Sequence, residues 1–171
     1  MPEDLAGDLE GISDDLAAEL KHSADFKATE RYNYHFTIKF LGSQEPGAVP
    51  IIENCIKKAL ENMDKELEKK VSLKRVDYAT GNRMIWVFAK SAWMAEFAKK
   101  LETELLRANV GYDPKPFTSH ITLIRIKDFF GKKPKIARRV DKDMEIKKVS
   151  LMESFLTREG SEYDTLVEFQ V

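Results

Sequence analysis

Cysteine is nearly missing from this chain of 171 residues, since Cys55 is the only one. A single thiol excludes an internal disulfide framework and is typical of proteins that work in a reducing cytoplasm. Because Ile52, Ile56 and Ala59 surround it in the sequence, we expect Cys55 to be a small buried hydrophobic residue. The sequence therefore predicts a cytoplasmic protein.

Long apolar runs and a strong net charge are also missing. No stretch approaches the roughly 18 consecutive apolar residues of a membrane span. The acidic opening Met1-Pro2-Glu3-Asp4 is not that of a signal peptide. The formal net charge is −1, so a nucleic-acid partner would have to bind a local patch. With 43% hydrophobic and 33% charged residues, the chain is typical of one soluble domain over residues 1–171, with no membrane partner.

Histidine is scarce too, but two of the three histidines stand in the same short pattern. His35-Phe36-Thr37-Ile38 and His120-Ile121-Thr122-Leu123 each place an imidazole two residues before a hydroxyl. In a β-strand successive side chains point to opposite faces, so each histidine would share a face with its threonine. One copy of such a pattern is weak evidence, whereas two copies are strong. The third histidine, His22, is expected to be a solvated loop residue.

The hydrophobic periodicity predicts alternating helices and strands. It predicts a helix over 2–20, a polar loop over 21–31 and a strand over Tyr32–Leu41. The later elements are predicted as a helix after Pro50, strands Val71–Ala79 and Met84–Ala89 joined at Thr80-Gly81-Asn82, a helix capped by Ser91, a strand Phe117–Lys127, a short helix around Ile136–Val140, and strands Ile146–Thr157 and Tyr163–Val171.

This order of elements predicts an α+β fold with antiparallel sheets flanked by helices. The repeated motif further predicts a bilobal arrangement, with two similar lobes related by an approximate two-fold. Each lobe would then offer one His-x-Thr face to a central cleft.

Paired histidines and threonines suit a displacement at phosphorus. A neutral imidazole can remove a proton from water while a protonated one donates to the leaving oxygen, at about 10²–10⁴-fold per proton transfer. Thr37 and Thr122 can each donate a hydrogen bond to a non-bridging phosphate oxygen. This chemistry needs neither a metal nor a cofactor. A zinc site would need a third or fourth ligand, and no Cys or His cluster stands near either motif.

These motifs resemble those of the two-histidine phosphoesterase superfamily, and most closely its RNA 2′,3′-cyclic phosphodiesterases, also called 2′-5′ RNA ligases. The resemblance rests on Tyr34-His35-Phe36-Thr37-Ile38-Lys39-Phe40-Leu41-Gly42, on Ser119-His120-Ile121-Thr122-Leu123-Ile124-Arg125, and on the closing Leu156-Thr157-Arg158-Glu159-Gly160-Ser161-Glu162-Tyr163. Members usually open with a short hydrophobic strand, so either this chain begins late or its first sheet lacks that strand.

The resemblance implies hydrolysis of a terminal 2′,3′-cyclic phosphate to a 2′-phosphate, without a metal. It implies that His35 donates a proton to the leaving 3′-oxygen and that His120 activates water. Ligation to a 2′-5′ linkage would be the reverse type of reaction.

Further candidate substrate contacts are Arg125, Lys39, Phe129, Phe130 and Lys132. Arg125 matches the arginine that trails the family's second motif, but strict alternation puts it opposite His120 unless a bulge turns it. Lys39 shares the face of His35, although a lysine at a strand end is usually solvated. The run Lys127–Arg139 holds six cations and one anion. With its two phenylalanines it is either an RNA contact or a lysine-rich surface loop.

The sequence thus predicts a monomeric phosphodiesterase that acts on RNA ends, tRNA-like or other, that carry a cyclic phosphate. Two alternatives stay open at this point. One is an enzyme for small cyclic or 2′-5′ nucleotides, which would turn over mononucleotides but not oligonucleotides. The other is a non-catalytic RNA- or nucleotide-binding module, whose binding would survive loss of both imidazoles.

Overall fold

A computed structural model describes residues 1–157 and 160–171, which fall into two units. The first unit comprises Met1–Phe36, Val71–Lys90 and His120–Met144, and the second comprises Thr37–Lys70, Ser91–Ser119 and Glu145–Val171. The helices and strands are α1 (Glu3–Leu20), β1 (Ala24–Ala28), α2 (Val49–Glu61), β2 (Lys70–Tyr78), β3 (Met84–Lys90), α3 (Ala92–Arg107), β4 (His120–Phe129), β5 (Ala137–Glu145), β6 (Lys148–Thr157) and β7 (Gly160–Gln170). Mixed helices and antiparallel sheets confirm the predicted α+β class.

The first unit is a five-stranded sheet in the order β1-β4-β3-β2-β5, with α1 packed against β1 and β4. The pairs β1–β4, β4–β3 and β3–β2 are antiparallel. Leu9, Leu16 and Leu20 of α1 are fully buried, because leucines at helical spacing make one apolar stripe. Ile85 and Val87 of β3 are buried as well. The core of this unit therefore lies between α1 and one face of the sheet.

The turn between β2 and β3 confirms the predicted hairpin. Gly81 has φ +87° and Asn82 has φ +58°, both in the left-handed region that glycine and asparagine tolerate best. Met84–Lys90 forms the predicted strand and lies at the centre of the five-stranded sheet.

The second unit contains α2 and α3, which pack on each other, and the two-stranded antiparallel hairpin of β6 and β7. Pro50 stands in the first turn of α2, where its missing N–H costs nothing. Cys55 is buried, as predicted, and its Sγ donates to the carbonyl oxygen of Glu104 at 3.5 Å. In the closing hairpin, Arg158 and Glu159 of the predicted motif lie outside the described residues.

Two predictions about the first motif region are wrong. Residues 21–31 are not all loop, because Ala24–Ala28 forms β1 and pairs with β4. Ala24, Phe26 and Ala28 do alternate with Asp25 and Lys27, but the run is only five residues long and two of its apolar residues are alanines, which are weak strand formers. Conversely, Tyr32–Leu41 is not a strand: Arg31–Asn33 is a 3₁₀ turn, and residues 34–41 join no ladder among the described strands. A β-like pattern becomes a strand only where a neighbouring strand pairs with it.

The short helix predicted around Ile136–Val140 is also wrong, because this stretch enters β5. Ile136 and Val140 are both buried, while Ala137 and Arg139 between them are exposed. A spacing of four residues fits one face of a helix and one face of a strand equally well. The ambiguity is in the spacing itself.

No helix in the described ranges combines the length and apolar character needed to cross a membrane.

The start of α3 gives a stability prediction. The Ser91 side chain accepts a hydrogen bond from the Met94 backbone N–H at 3.2 Å, and Ser91 has extended backbone angles, as an N-cap requires. We expect Ser91→Ala to lower the free energy of unfolding by about 1 kcal/mol, measured by urea denaturation. Ser91→Asn keeps an acceptor and should remain close to the wild type. Equal loss in both variants would contradict the cap.

Candidate active site

A β-bulge in β4 decides which side chains share the face of His120. The register with β3 pairs Phe88 with His120 and Trp86 with Thr122, and then slips by one residue. Beyond the slip, Met84 pairs with Arg125. Directly paired side chains lie on the same face of a sheet. His120, Thr122 and Arg125 therefore share one face, although strict alternation would put Arg125 on the other.

The opposite face of the same strand is the core face. Ile121, Leu123 and Ile124 are all fully buried, because the bulge adds one residue to the strand without exposing an apolar side chain. The motif face instead carries half-buried His120 and Thr122 and an exposed Arg125. One face of β4 thus serves stability and the other is available for chemistry.

Trp86 holds the imidazole of His120 in place. The two rings stack with centroids 3.7 Å apart and planes 23° apart. Phe88 packs edge-on against Trp86, with ring centroids at 5.6 Å. Both aromatic residues belong to the central strand β3. Because strand and rings are tightly packed, His120 loses rotamer freedom before any substrate binds.

His35 is positioned by α1 rather than by a sheet. The 3₁₀ turn before it is tied to α1 by Arg31, which pairs with the carboxylates of Glu3 and Glu10 and donates to the Glu3 carbonyl oxygen at 2.9 Å. Tyr34, next to His35, is buried. These contacts fix the backbone on both sides of the turn. The histidine therefore follows a docked segment of chain, not a strand.

The ring of His35 is oriented by a main-chain carbonyl. Its Nδ1 lies 2.6 Å from the carbonyl oxygen of Asn33. A carbonyl can only accept, so Nδ1 carries a proton and donates it. In the neutral ring, Nε2 is then the nitrogen that takes up and releases the proton.

Burial lowers the pKa of His35 below its ordinary value. The hydrogen bond to the Asn33 carbonyl opposes this, while the positive charge of Arg125 lowers the pKa further. An effect of Arg125 on His35 requires that the two residues be within reach of each other's charge. His35 and the motif face of β4 are therefore electrostatically linked, and both belong to the first unit.

The two units divide the first motif between them. The boundary lies between Phe36 and Thr37, so Thr37 and Lys39 belong to the second unit. The prediction gave one histidine to each half, whereas both histidines lie in the first unit. Thr37 is half-buried, and its contact with phosphate stays a prediction.

Lys39 already has partners within the second unit. Its side chain is only 3% exposed and forms an ion pair with Glu102. Its Nζ also donates to the carbonyl oxygens of Asp113 at 3.3 Å and Lys115 at 3.1 Å. The suggested contact between Lys39 and substrate stays a prediction, and the structure supplies a structural role for this ammonium.

The basic run Lys127–Arg139 is largely occupied by contacts inside the first unit. Four of its six cations have protein partners: Lys127 with Asp25, Lys133 with Asn82, Arg138 with Asp15 and Glu19, and Arg139 with Asp141. Phe129 packs edge-on against Tyr78, with centroids at 6.3 Å, whereas Phe130 is 68% exposed. Lys132 is exposed too. Phe130, Lys132 and the exposed Lys135 are the members of this run best placed to meet a partner.

Sequence reasoning missed Trp86, Phe88 and Arg75. Trp86 and Phe88 of the central strand β3 are half-buried and line the motif face. Arg75 joins that face by pairing with Phe88. The β2–β3 turn could have indicated the Arg75–Phe88 pairing, but the pairing of β3 with β4 has no local signal in the sequence.

Among the described residues, no group of three His, Cys, Asp or Glu side chains is arranged to hold a metal ion.

The sequence of this chain is similar to those of known proteins. Residues 2–86 match the sequence model of the LigT like Phosphoesterase family. An RNA 2′,3′-cyclic phosphodiesterase of Methanocaldococcus jannaschii is 29% identical over 180 residues, which cover 96% of this chain and 98% of that protein. An RNA 2′,3′-cyclic phosphodiesterase of Aeropyrum pernix is 28% identical over 173 residues, covering 96% and 95%.

Solved structures show the same fold. TT0787 of Thermus thermophilus superimposes with a TM-score of 0.81 at 20% identity, covering 99% of this chain and 93% of that one. E. coli LigT complexed with 3′-AMP gives a TM-score of 0.71 at 15% identity, covering 96% and 91%.

The link between Arg125 and His35 can be measured directly. The positive charge of Arg125 disfavours the imidazolium, so we expect Arg125→Met to raise the pKa of His35 toward its ordinary value, without reaching it because burial remains. The measurement is an NMR titration of the His35 ring carbon and proton signals. Arg83→Met removes an exposed arginine that has no such effect and should leave the titration unchanged. An unchanged pKa in Arg125→Met would show that the two residues are not coupled.

Proposed function

We propose that this chain is an RNA 2′,3′-cyclic phosphodiesterase, because residues 2–86 match the sequence model of the LigT like Phosphoesterase family. The reaction opens a terminal 2′,3′-cyclic phosphate to a 2′-phosphate. The observation that carries the proposal is the shared face of His120, Thr122 and Arg125, with the charge of Arg125 acting on His35. The names of the two archaeal relatives support the same activity.

The proposed mechanism is an in-line displacement at phosphorus with two proton transfers. One imidazole removes a proton from water as the oxygen attacks phosphorus. The bond from phosphorus to the 3′-oxygen breaks, and the other imidazole gives its proton to that oxygen. The products are a 2′-phosphate and a 3′-hydroxyl, and each histidine ends in the protonation state that the other had at the start. The two must exchange protons with solvent before the next turnover.

Thr122 and Arg125 act on the phosphate rather than on the protons. The Thr122 hydroxyl donates to a non-bridging oxygen, and Thr37 is proposed to donate to another. The guanidinium of Arg125 attracts the anionic phosphate. Fixed donors of this kind stabilise the extra charge of the transition state, because they need no reorganisation during the reaction. No step in this scheme requires a metal ion.

We propose His35 as the proton donor and His120 as the base, following the family resemblance. In the free protein, the lowered pKa of His35 favours its neutral ring. A bound cyclic phosphate brings a negative charge, which favours the imidazolium and raises the pKa of a nearby histidine. Substrate binding would therefore prepare His35 for its role as acid.

We further propose that the protein is a monomeric single domain of two lobes that acts on RNA ends in the cytoplasm. The single buried thiol supports a reducing compartment. The same active site would catalyse 2′-5′ ligation when an RNA 5′-hydroxyl replaces water as the attacking group.

The catalytic pair is tested with a short RNA that ends in a 2′,3′-cyclic phosphate, assayed in EDTA. We expect wild-type protein to release a 2′-phosphate product. His35→Ala and His120→Ala should each lower the rate by about 10²-fold or more, because one proton transfer usually contributes about 10²–10⁴-fold.

His22→Ala is the matched control, because His22 is the third histidine and is exposed. Its activity should equal that of the wild type. Full activity in either motif variant would contradict the mechanism. RNA binding without turnover by the wild type would instead support the non-catalytic binding module.

The role of Thr122 is tested by shape-conserving replacement. Thr122→Val removes the hydroxyl but keeps the branched side chain, so we expect kcat to fall by about 10²-fold, as for one lost transition-state donor. Thr122→Ser should restore most of the rate. Thr103→Val, which alters a hydroxyl on the exposed face of α3, should have no effect on kcat. A rise in KM alone would show that Thr122 binds the ground state equally well.

A further inference from the structure

A row of three side chains crosses the motif face of the sheet. Arg75 on β2 pairs with Phe88 on β3, and Phe88 pairs with His120 on β4. Paired residues present their side chains on the same face, about 5 Å from strand to strand. Arg75 is thus about 10 Å from His120 across the sheet. The whole row lies within the first unit.

Arg75 is stacked on Phe88 rather than extended into water. Its guanidinium carbon lies 4.5 Å from the centre of the Phe88 ring. Asp77 restrains it from the side, with its Oδ2 3.7 Å from Nε of Arg75. Asp77 is itself oriented by the backbone N–H of Tyr78, which donates to its Oδ1 at 2.8 Å. The guanidinium is therefore held over the ring.

One surface of the guanidinium plane is open. The Arg75 side chain is 60% exposed although the ring of Phe88 covers one of its sides. A planar guanidinium held on an aromatic ring is a surface on which nucleobases stack. The carboxylate of Asp77 offsets part of the local positive charge. The pair is thus better suited to the flat face of a base than to a phosphate group.

The position of the pair relative to the reacting phosphate is set by the sheet. The phosphate is proposed to bind at His120 and Thr122. Arg125, the other arginine of this face, lies further along β4 from these residues, whereas Arg75 lies across the strands. The two arginines therefore lie in different directions from the phosphate. If Arg125 contacts the terminal nucleotide, Arg75 is positioned to contact the nucleotide that precedes it.

We propose that Arg75 stacked on Phe88 is a binding subsite for the base of the nucleotide that precedes the cyclic phosphate. The subsite rests on the proposed function and extends it, because it makes the enzyme selective for oligonucleotides over mononucleotides. Stacking accepts any base, so the selectivity is for chain length rather than for sequence.

The first test compares kcat/KM for a trinucleotide 2′,3′-cyclic phosphate and for a nucleoside 2′,3′-cyclic phosphate. The wild type should prefer the trinucleotide. Arg75→Ala should lower kcat/KM for the trinucleotide by about tenfold, the loss of one stacked base, and leave the value for the mononucleotide within about twofold. Arg83→Ala is the matched control, since it removes a similarly exposed arginine that directly precedes β3. It should change neither value.

Arg75→Lys separates stacking from charge. Lysine keeps the positive charge but has no plane, so we expect it to behave like Arg75→Ala. Full activity of Arg75→Lys on the trinucleotide would overturn a stacking role. An equal fall on both substrates in Arg75→Ala would also overturn the subsite, because it would show an effect through His120 or through the fold.

Binding measurements keep the subsite distinct from the catalytic proposal. Calorimetry would compare a trinucleotide and a mononucleotide that both end in a 3′-phosphate. The trinucleotide should bind the wild type about tenfold more tightly, and Arg75→Ala should abolish the difference. If no substrate is turned over but the trinucleotide still binds more tightly, the phosphodiesterase proposal is refuted and the subsite is retained. Equal affinities in the wild type would overturn the subsite even if the enzyme is active.

Discussion

The register between β3 and β4 is the constraint on which the site depends. A single extra residue in β4 keeps Ile121, Leu123 and Ile124 all in the core and turns Arg125 to the face of His120 and Thr122. Without the bulge, either a buried isoleucine or the arginine would be on the wrong side. The apolar core thus fixes the position of the cation that we propose to bind the phosphate. The same β-bulge therefore serves both the stability of the core and the proposed chemistry.

His35 reaches its place by a different route, and this makes the two histidines unequal. His120 belongs to a strand in the middle of a sheet and is stacked on Trp86. His35 follows a 3₁₀ turn that is held on α1 by the ion pairs of Arg31. Strand residues are held by many backbone hydrogen bonds, while a docked turn depends on a few side chains. The two sequence motifs look alike, but different interactions hold their histidines in place.

Local sequence signals were sufficient for α1, α2 and α3 and for the β2–β3 hairpin. They failed where the structure of a segment depends on pairing with a strand that is distant in the sequence. Ile136 and Val140 fit helix and strand alike, and only the sheet edge beside β2 makes them a strand. Residues 24–28 alternate over only five residues and include two alanines, which is a weak strand signal, yet β4 pairs with them. The face of Arg125 could not be predicted either, because a bulge arises from pairing between strands rather than from the residues of one strand.

The hydrogen bond from Nδ1 of His35 ends on the main chain of Asn33 rather than on a carboxylate. Many catalytic histidines are oriented by an acidic side chain, which mutation can remove and which sequence comparison can recognise. Here every amino acid at position 33 would supply the same carbonyl oxygen. The tautomer of His35 is therefore protected from most substitutions at its partner. For the histidine that we propose as the proton donor, the backbone carbonyl of residue 33 thus performs this orienting task.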